Sequence, residues 1–152
     1  MKTVIRLVST CFYAGYIPKI PGTAGSVCGL LLFLLVNYSL PVTFITLSVL
    51  TAAALLVIRS AEELFGKKDS RRIVIDEAIG MMIALLFIPM RPELIALAFV
   101  LFRVFDITKP FPIKRIEKIE SPWGVVLDDA VAAVYANLSV RLIAILAFKS
   151  AV

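Results

Sequence analysis

The 152-residue chain contains no histidine. That absence removes His-ligated zinc, histidine nucleophiles, Ser-His-Asp triads and a histidine acid or base from consideration. Cysteine is nearly as scarce. Cys11 and Cys28 stand in apolar surroundings without the spacing of metal ligands, and they read as reduced, buried filler. A Cys-x5-Arg phosphatase loop is missing, because Ile17 and Leu34 occupy the position where the arginine would stand. The chain has no Asp-x-Asp pair for an aspartyl-phosphate enzyme of the haloacid dehalogenase type, and no Asp-Gly-x2-Ala-Arg signature of the CDP-alcohol phosphotransferases. Charge is thin as well: 18% of residues are charged, against about a quarter in a soluble domain. Any chemistry must be run by carboxylates, Lys and Arg, hydroxyls, and a metal that accepts oxygen ligands.

What the chain has in excess is apolar side chain. Hydrophobic residues make up 61% of it, and the mean hydropathy is +0.97. Such a composition belongs in a membrane. The length amounts to one domain, residues 1–152, without internal repeat or low-complexity tract. The predicted architecture is an all-α, polytopic membrane helix bundle with about five apolar segments. Met1 to Val8 reads as an amphipathic interfacial helix rather than a signal peptide, since Tyr13 to Pro21 offers no small-x-small cleavage site. Gly15 to Ser26 reads as a Pro/Gly-punctuated loop ending in N-cap residues. The first apolar segment, residues 26–38, is short enough to be re-entrant. The second runs from Val42 to Ile58 and continues through Arg59, Glu62 and Glu63. The third spans Ile73 to Ile88, the fourth Glu93 to Phe105, and the fifth carries Asp128 and Asp129 out to Phe148.

A crossing takes roughly 20 residues, so the third and fourth segments qualify only if Asp76, Glu77 and Asp106 lie within the span. Carboxylates in that setting are expensive and point to function. If all five segments cross, the Gly15–Ser26 loop, Asp76, Glu77, Asp106, Asp128 and Asp129 fall on one side. Every Lys and Arg except Arg91, Arg141 and Lys149 falls there too, which marks that side as cytoplasmic. The net charge of +5 then sits at membrane rims, where it favours anionic lipid rather than nucleic acid.

Four stretches on that side carry chemistry. In Phe102–Ile113, Arg103, Asp106 and Lys109 follow at i, i+3 and i+6, and Pro110 ends the helix and biases Lys109 toward an extended conformation. Pro21–Ser26 combines glycines with the hydroxyls of Thr23 and Ser26 at a helix start, a setting suited to an oxyanion. Asp76-Glu77 opens one apolar segment, with Gly80 a turn later, and Asp128-Asp129 opens another, with small residues following. Each stretch also has an ordinary explanation, as a cap, a dipole-stabilising acid or a charged helix end. That explanation weakens each time it is used again. Five carboxylates at one pocket repel unless a cation sits among them, and Mg²⁺ fits oxygen ligands of this kind. Asp76, Glu77, Asp106 and Asp129 are the expected metal ligands, with Glu77 or Asp128 taking a proton from water. Arg103, Lys109 and Lys19, with Thr23 and Ser26, are expected at a phosphate.

Together these stretches resemble the phosphatidylglycerophosphatase A family of bacterial membrane phosphatases. The matching pieces are Gly15-Tyr16-Ile17-Pro18 with Pro21–Ser26, then Asp76–Gly80, Phe102–Asp106 with Lys109–Ile113, and Asp128-Asp129, in the family's order. The resemblance implies Mg²⁺-dependent hydrolysis of phosphatidylglycerophosphate at the bacterial inner membrane, with Asp76, Glu77, Asp106, Asp128 and Asp129 as the functional set. Two departures stand out: Ala133 replaces a glycine that usually ends the last motif, and Ser121-Pro122-Trp123-Gly124 replaces a Gly-rich approach to it. Helix packing near Asp128 and Asp129 is therefore expected to differ. A cation channel or carrier is the alternative from another class, and it predicts carboxylates spread through the membrane depth. The sequence leaves the oligomeric state open.

Overall fold

Four of the helices carry a proline at their first or second position, a residue whose fixed φ and missing N–H cost nothing in a first helical turn. In the computed structural model, which describes residues 1–68 and 70–149, the chain folds as helices without strands among the described residues. Helix α1 is Lys2–Ser9, followed by a single 3-10 turn at Ala14–Tyr16. Helix α2 is Pro21–Val36, α3 is Leu40–Phe65 and α4 is Ile75–Leu85. Helix α5 is Pro92–Thr108, α6 is the single turn Ile113–Ile116, and α7 is Pro122–Lys149. The end of α3 follows glycine chemistry: Gly66 sits at φ 65, its N–H bonds back to Glu63 O, and the next N–H bonds to Glu62 O.

Helix α4 is the axis of the bundle. Nine of its eleven residues are buried, and α2, α3, α5 and α7 all pack against it. The approach of α2 is close because glycines face α4. A Cβ on Gly25 would lie 2.6 Å from Val74 O, and one on Gly29 would collide with the Ala78 backbone. On its other sides Met81, Met82 and Leu85 interlock with Phe102 of α5 and with Ala132, Ala133 and Ala136 of α7. Ala133 is fully buried there, so a methyl group fills the space a glycine would leave.

Outward, the chain inverts the pattern of a soluble protein. Phe44, Ile45, Val49 and Leu56 of α3 and Leu138, Leu142, Ile145 and Leu146 of α7 are exposed. Among the described residues, two helices are long and apolar enough to cross a membrane, Leu40–Phe65 with mean hydropathy 2.2 and the Pro122–Leu146 part of α7 with 1.6. The third expected segment is shorter than Ile73–Ile88. With 11 residues α4 rises only about 16 Å, roughly half the hydrocarbon thickness. The break has a visible cause: Phe87 turns left-handed at φ 58, and the freed carbonyls find partners on α7. Asn137 Nδ2 donates to Ala84 O at 2.9 Å and to Leu86 O at 2.8 Å, and Arg141 Nη2 donates to Leu86 O at 3.1 Å.

The stretch read as a loop also changes. Helix α2 already begins at Pro21, with Ala24 N–H bonded to Ile20 O, so Thr23 and Ser26 lie inside a helix and cap nothing. Lys109 is not extended either: it takes φ 44 as the left-handed residue closing α5, its N–H bonded to Phe105 O.

Candidate active site

The starts of α2, α4 and α7 and the ends of α3 and α5 meet at one pole of the bundle. Asp76 and Glu77 occupy the first turn of α4, about 100° apart around its axis, and Asp129 comes from the second turn of α7. One carboxylate oxygen from each of the three lies within 4.8 Å of the others. Asp76 and Asp129 are buried. Asp76 Oδ1, Glu77 Oε2 and Asp129 Oδ2 are enclosed without a hydrogen-bond partner. Buried carboxylate oxygens without donors are costly, and three like charges at this spacing repel. A hard divalent cation with oxygen ligands answers both problems, so the donor set fits Mg²⁺.

Cations hold the flanks. Arg103 Nη1 pairs with Asp106 Oδ2 at 2.8 Å and donates to Ser26 Oγ at 3.4 Å, while the Ser26 hydroxyl donates to Gly22 O at 3.0 Å. The Asp106 carboxylate also faces Asp129. Gly22 is where α2 meets this pair, since a Cβ there would stand 2.5 Å from Glu77 Oε1 and 2.8 Å from Arg103 Nη2. On the far flank Lys109 Nζ donates to Asp128 Oδ2 at 2.6 Å and to Glu117 Oε1 at 2.7 Å. Burial disfavours the Lys109 charge, but the hydrogen bonds to Asp128 and Glu117 outweigh it and hold its pKa above the ordinary lysine value. Asp128 Oδ1 in turn accepts the Asp129 N–H at 3.0 Å.

The carboxylates, with Lys109 and Glu117, wall a cavity of about 680 Å³. All five expected carboxylates line it, and so does Lys109. Arg103, Thr23, Ser26 and Lys19 do not: Arg103 and Ser26 stand behind the carboxylates, Thr23 is half-buried in α2, and Lys19 is exposed at φ 72. The carboxylates gather at one pole, unlike the spread through the membrane depth that an ion path predicts. Cys11 and Cys28 are free thiols.

Sequence reasoning missed the outer wall. Arg59 and Glu62 from the end of α3, Lys68 and Arg71 from the loop before α4, and Glu117 and Glu120 after α6 line the same cavity. Their signal was present, as polar residues continuing an apolar helix and a basic loop. Nothing in their spacing tied them to carboxylates many residues away.

The family model described as Phosphatidylglycerophosphatase A matches residues 7–144. A protein of Bacteroides thetaiotaomicron, provisionally named a phosphatidylinositol-3-phosphatase, is 34% identical over 90% of this chain and 91% of its own. Phosphatidylglycerophosphatase A of Haemophilus influenzae is 38% identical over 90% of this chain and 86% of its own. Phosphatidylglycerophosphatase A of Escherichia coli is 33% identical over 88% and 80% respectively. No solved structure matches the chain significantly. With its motifs gathered around one cavity and nearly its whole length matched, the chain belongs to the phosphatidylglycerophosphatase A family.

Proposed function

We propose that the chain hydrolyses the phosphomonoester of phosphatidylglycerophosphate to phosphatidylglycerol and inorganic phosphate, at the cytoplasmic face of the bacterial inner membrane. Family membership and the names of two relatives support the reaction. The observation that carries the site is the group of three close-set carboxylates, each with one enclosed oxygen lacking a hydrogen-bond partner, on the wall of a charged cavity. Asp76, Glu77 and Asp129 would hold Mg²⁺ there, and the ion would supply Lewis-acid charge for the phosphoryl oxygens. Asp106 borders the same group, its orientation set by Arg103.

Transfer of a phosphomonoester passes through a loose transition state, in which positioning and charge provide most of the catalysis. Lys109 presents a positive charge to the phosphate from the opposite wall. Water attacks phosphorus while the bond from phosphorus to the glycerol oxygen breaks. The Asp128–Lys109 pair passes one water proton to the departing glycerol oxygen, and the other stays on inorganic phosphate. The apolar outer faces of α3 and α7 sit in the bilayer, α1 rests at its surface, and the charged pole faces the cytoplasm. The lipid then reaches the cavity with its tails still among the acyl chains.

The test is phosphate release from phosphatidylglycerophosphate by the purified protein in detergent, with Mg²⁺ and with EDTA. Release that stops with EDTA is expected. No release by folded protein in Mg²⁺ overturns the reading.

A further inference from the structure

We propose that Arg59 and Arg71 form a second anion subsite, which takes the phosphodiester of the lipid while the carboxylate pole takes its phosphomonoester. The inference rests on the hydrolase reading above and adds to it the means of recognising the substrate. Both arginines line the same cavity as Asp76, Glu77 and Asp129. Among the described residues, neither makes an ion pair. Every other cation on that wall is engaged, Lys68 with Glu120 at 2.9 Å and Lys109 with Asp128 and Glu117. Two guanidinium groups with ten N–H donors between them face a shared space, and a phosphate is the acceptor their geometry suits.

A second observation points to the same ligand. Relatives of this chain carry two different lipid names, one a glycerophosphate lipid and one an inositol lipid phosphorylated at the 3 position. The headgroups differ in size and ring structure but share one element. In each, three carbon atoms separate the phosphomonoester oxygen from the phosphodiester oxygen, and the middle carbon bears a hydroxyl. A pocket that grips both phosphates at a fixed separation accepts either headgroup. Phosphatidic acid lacks the phosphodiester, and phosphatidylinositol-4-phosphate has a longer path between its two phosphates. The cavity, at about 680 Å³, has room for a bisphosphorylated glycerol or inositol. Arg59 enters from the end of α3 and Arg71 from the loop leading into α4, so the subsite sits beside the carboxylates of the α4 first turn.

The experiment measures phosphate release from four lipids in mixed micelles with Mg²⁺: phosphatidylglycerophosphate, phosphatidylinositol-3-phosphate, phosphatidylinositol-4-phosphate and phosphatidic acid. The unmodified chain should favour the first two over the last two by about tenfold or more in kcat/KM, the discrimination expected when one charge-assisted contact is made or lost. The double variant Arg59→Ala/Arg71→Ala should raise KM for phosphatidylglycerophosphate about tenfold and shrink its preference over phosphatidic acid toward unity. Arg59→Lys/Arg71→Lys should recover part of that preference, because charge is kept while the planar fork is lost. A double alanine variant that keeps the original preference overturns the subsite. So does hydrolysis of phosphatidylinositol-4-phosphate as fast as phosphatidylglycerophosphate. Absence of release from all four lipids by the unmodified chain overturns the hydrolase reading and the subsite together, so the two failures are told apart.

Discussion

Asp129 illustrates what one carboxyl group does in this cluster. Its Oδ2 is enclosed and has no hydrogen-bond partner, and Asp76 and Glu77 stand within 4.8 Å. Asp129→Asn keeps the shape and removes one negative charge. Phosphate release should fall about a hundredfold or more, in line with losing a transition-state contact. The metal-free variant should be at least as stable as the unmodified chain, because repulsion among the carboxylates is relieved. Mg²⁺ at a hundred times its Kd should stabilise the unmodified chain by about 2.7 kcal/mol and the variant much less. A thermal shift with Mg²⁺ that is unchanged in the variant would remove Asp129 from the metal group. Gly22 offers a sharper probe of position. A methyl there meets the far ends of Glu77 and Arg103, at 2.5 Å and 2.8 Å, which are flexible and give way. Gly22→Ala should therefore cost little stability but lower kcat about a hundredfold, the usual effect of moving a reacting constellation by about 1 Å. Unaltered kcat would show that Glu77 tolerates displacement.

Helix α4 depends on its neighbours more than on its own sequence. Its eleven residues bring Asp76 and Glu77 to the pole at one end, and its other end stops inside the bundle. There Asn137 serves two carbonyls, Ala84 O and Leu86 O, and is itself held by Arg141 Nε donating to its Oδ1 at 2.8 Å. Asn137→Ala leaves Ala84 O without that donor in an apolar setting, and should destabilise the fold by about 1–3 kcal/mol. Arg141 still reaches Leu86 O. Denaturant unfolding in detergent measures the difference, and a loss below about 0.5 kcal/mol would mean that water or another group takes over. Activity of the variant at low temperature should persist, since Asn137 lies far along α7 from the carboxylates. Although α2 starts at Pro21, inside the stretch read as a loop up to Ser26, the start of α5 near Pro92 and the end of α3 near Gly66 were legible. The early stop of α4 was not, because its donors lie 53 and 51 residues further along the chain.

Across the molecule, charge and apolar surface are sorted to different places. The exposed faces of α3 and α7 are apolar, and Lys68 and Arg71, which follow α3 in the chain, line the cavity. In the orientation proposed above, the segment after α3 would face the cytoplasm and the turn between α2 and α3 the opposite side. With Cys11 and Cys28 replaced by alanine, Lys67→Cys should react with a membrane-impermeant thiol reagent only when the cytoplasmic side is open. Tyr38→Cys, at a site 80% exposed, should react from outside. The reverse pattern would turn the protein over and place the cavity on the wrong side for a cytoplasmic substrate.

Composition and spacing were enough to exclude histidine chemistry, to assign helices and to pick out five carboxylates and Lys109, all of which line one cavity. Those features are local: a missing residue type, a proline at a helix start, an acidic pair opening an apolar run. Tertiary structure decided which carboxylates form the unpartnered group and which are neutralised by Arg103 and Lys109. It also decided that α4 stops half-way, and that Arg59 and Arg71 share the cavity. Each of these depends on contacts between segments far apart in the chain. Short-range propensity and periodicity carry no information about such contacts until the helices pack.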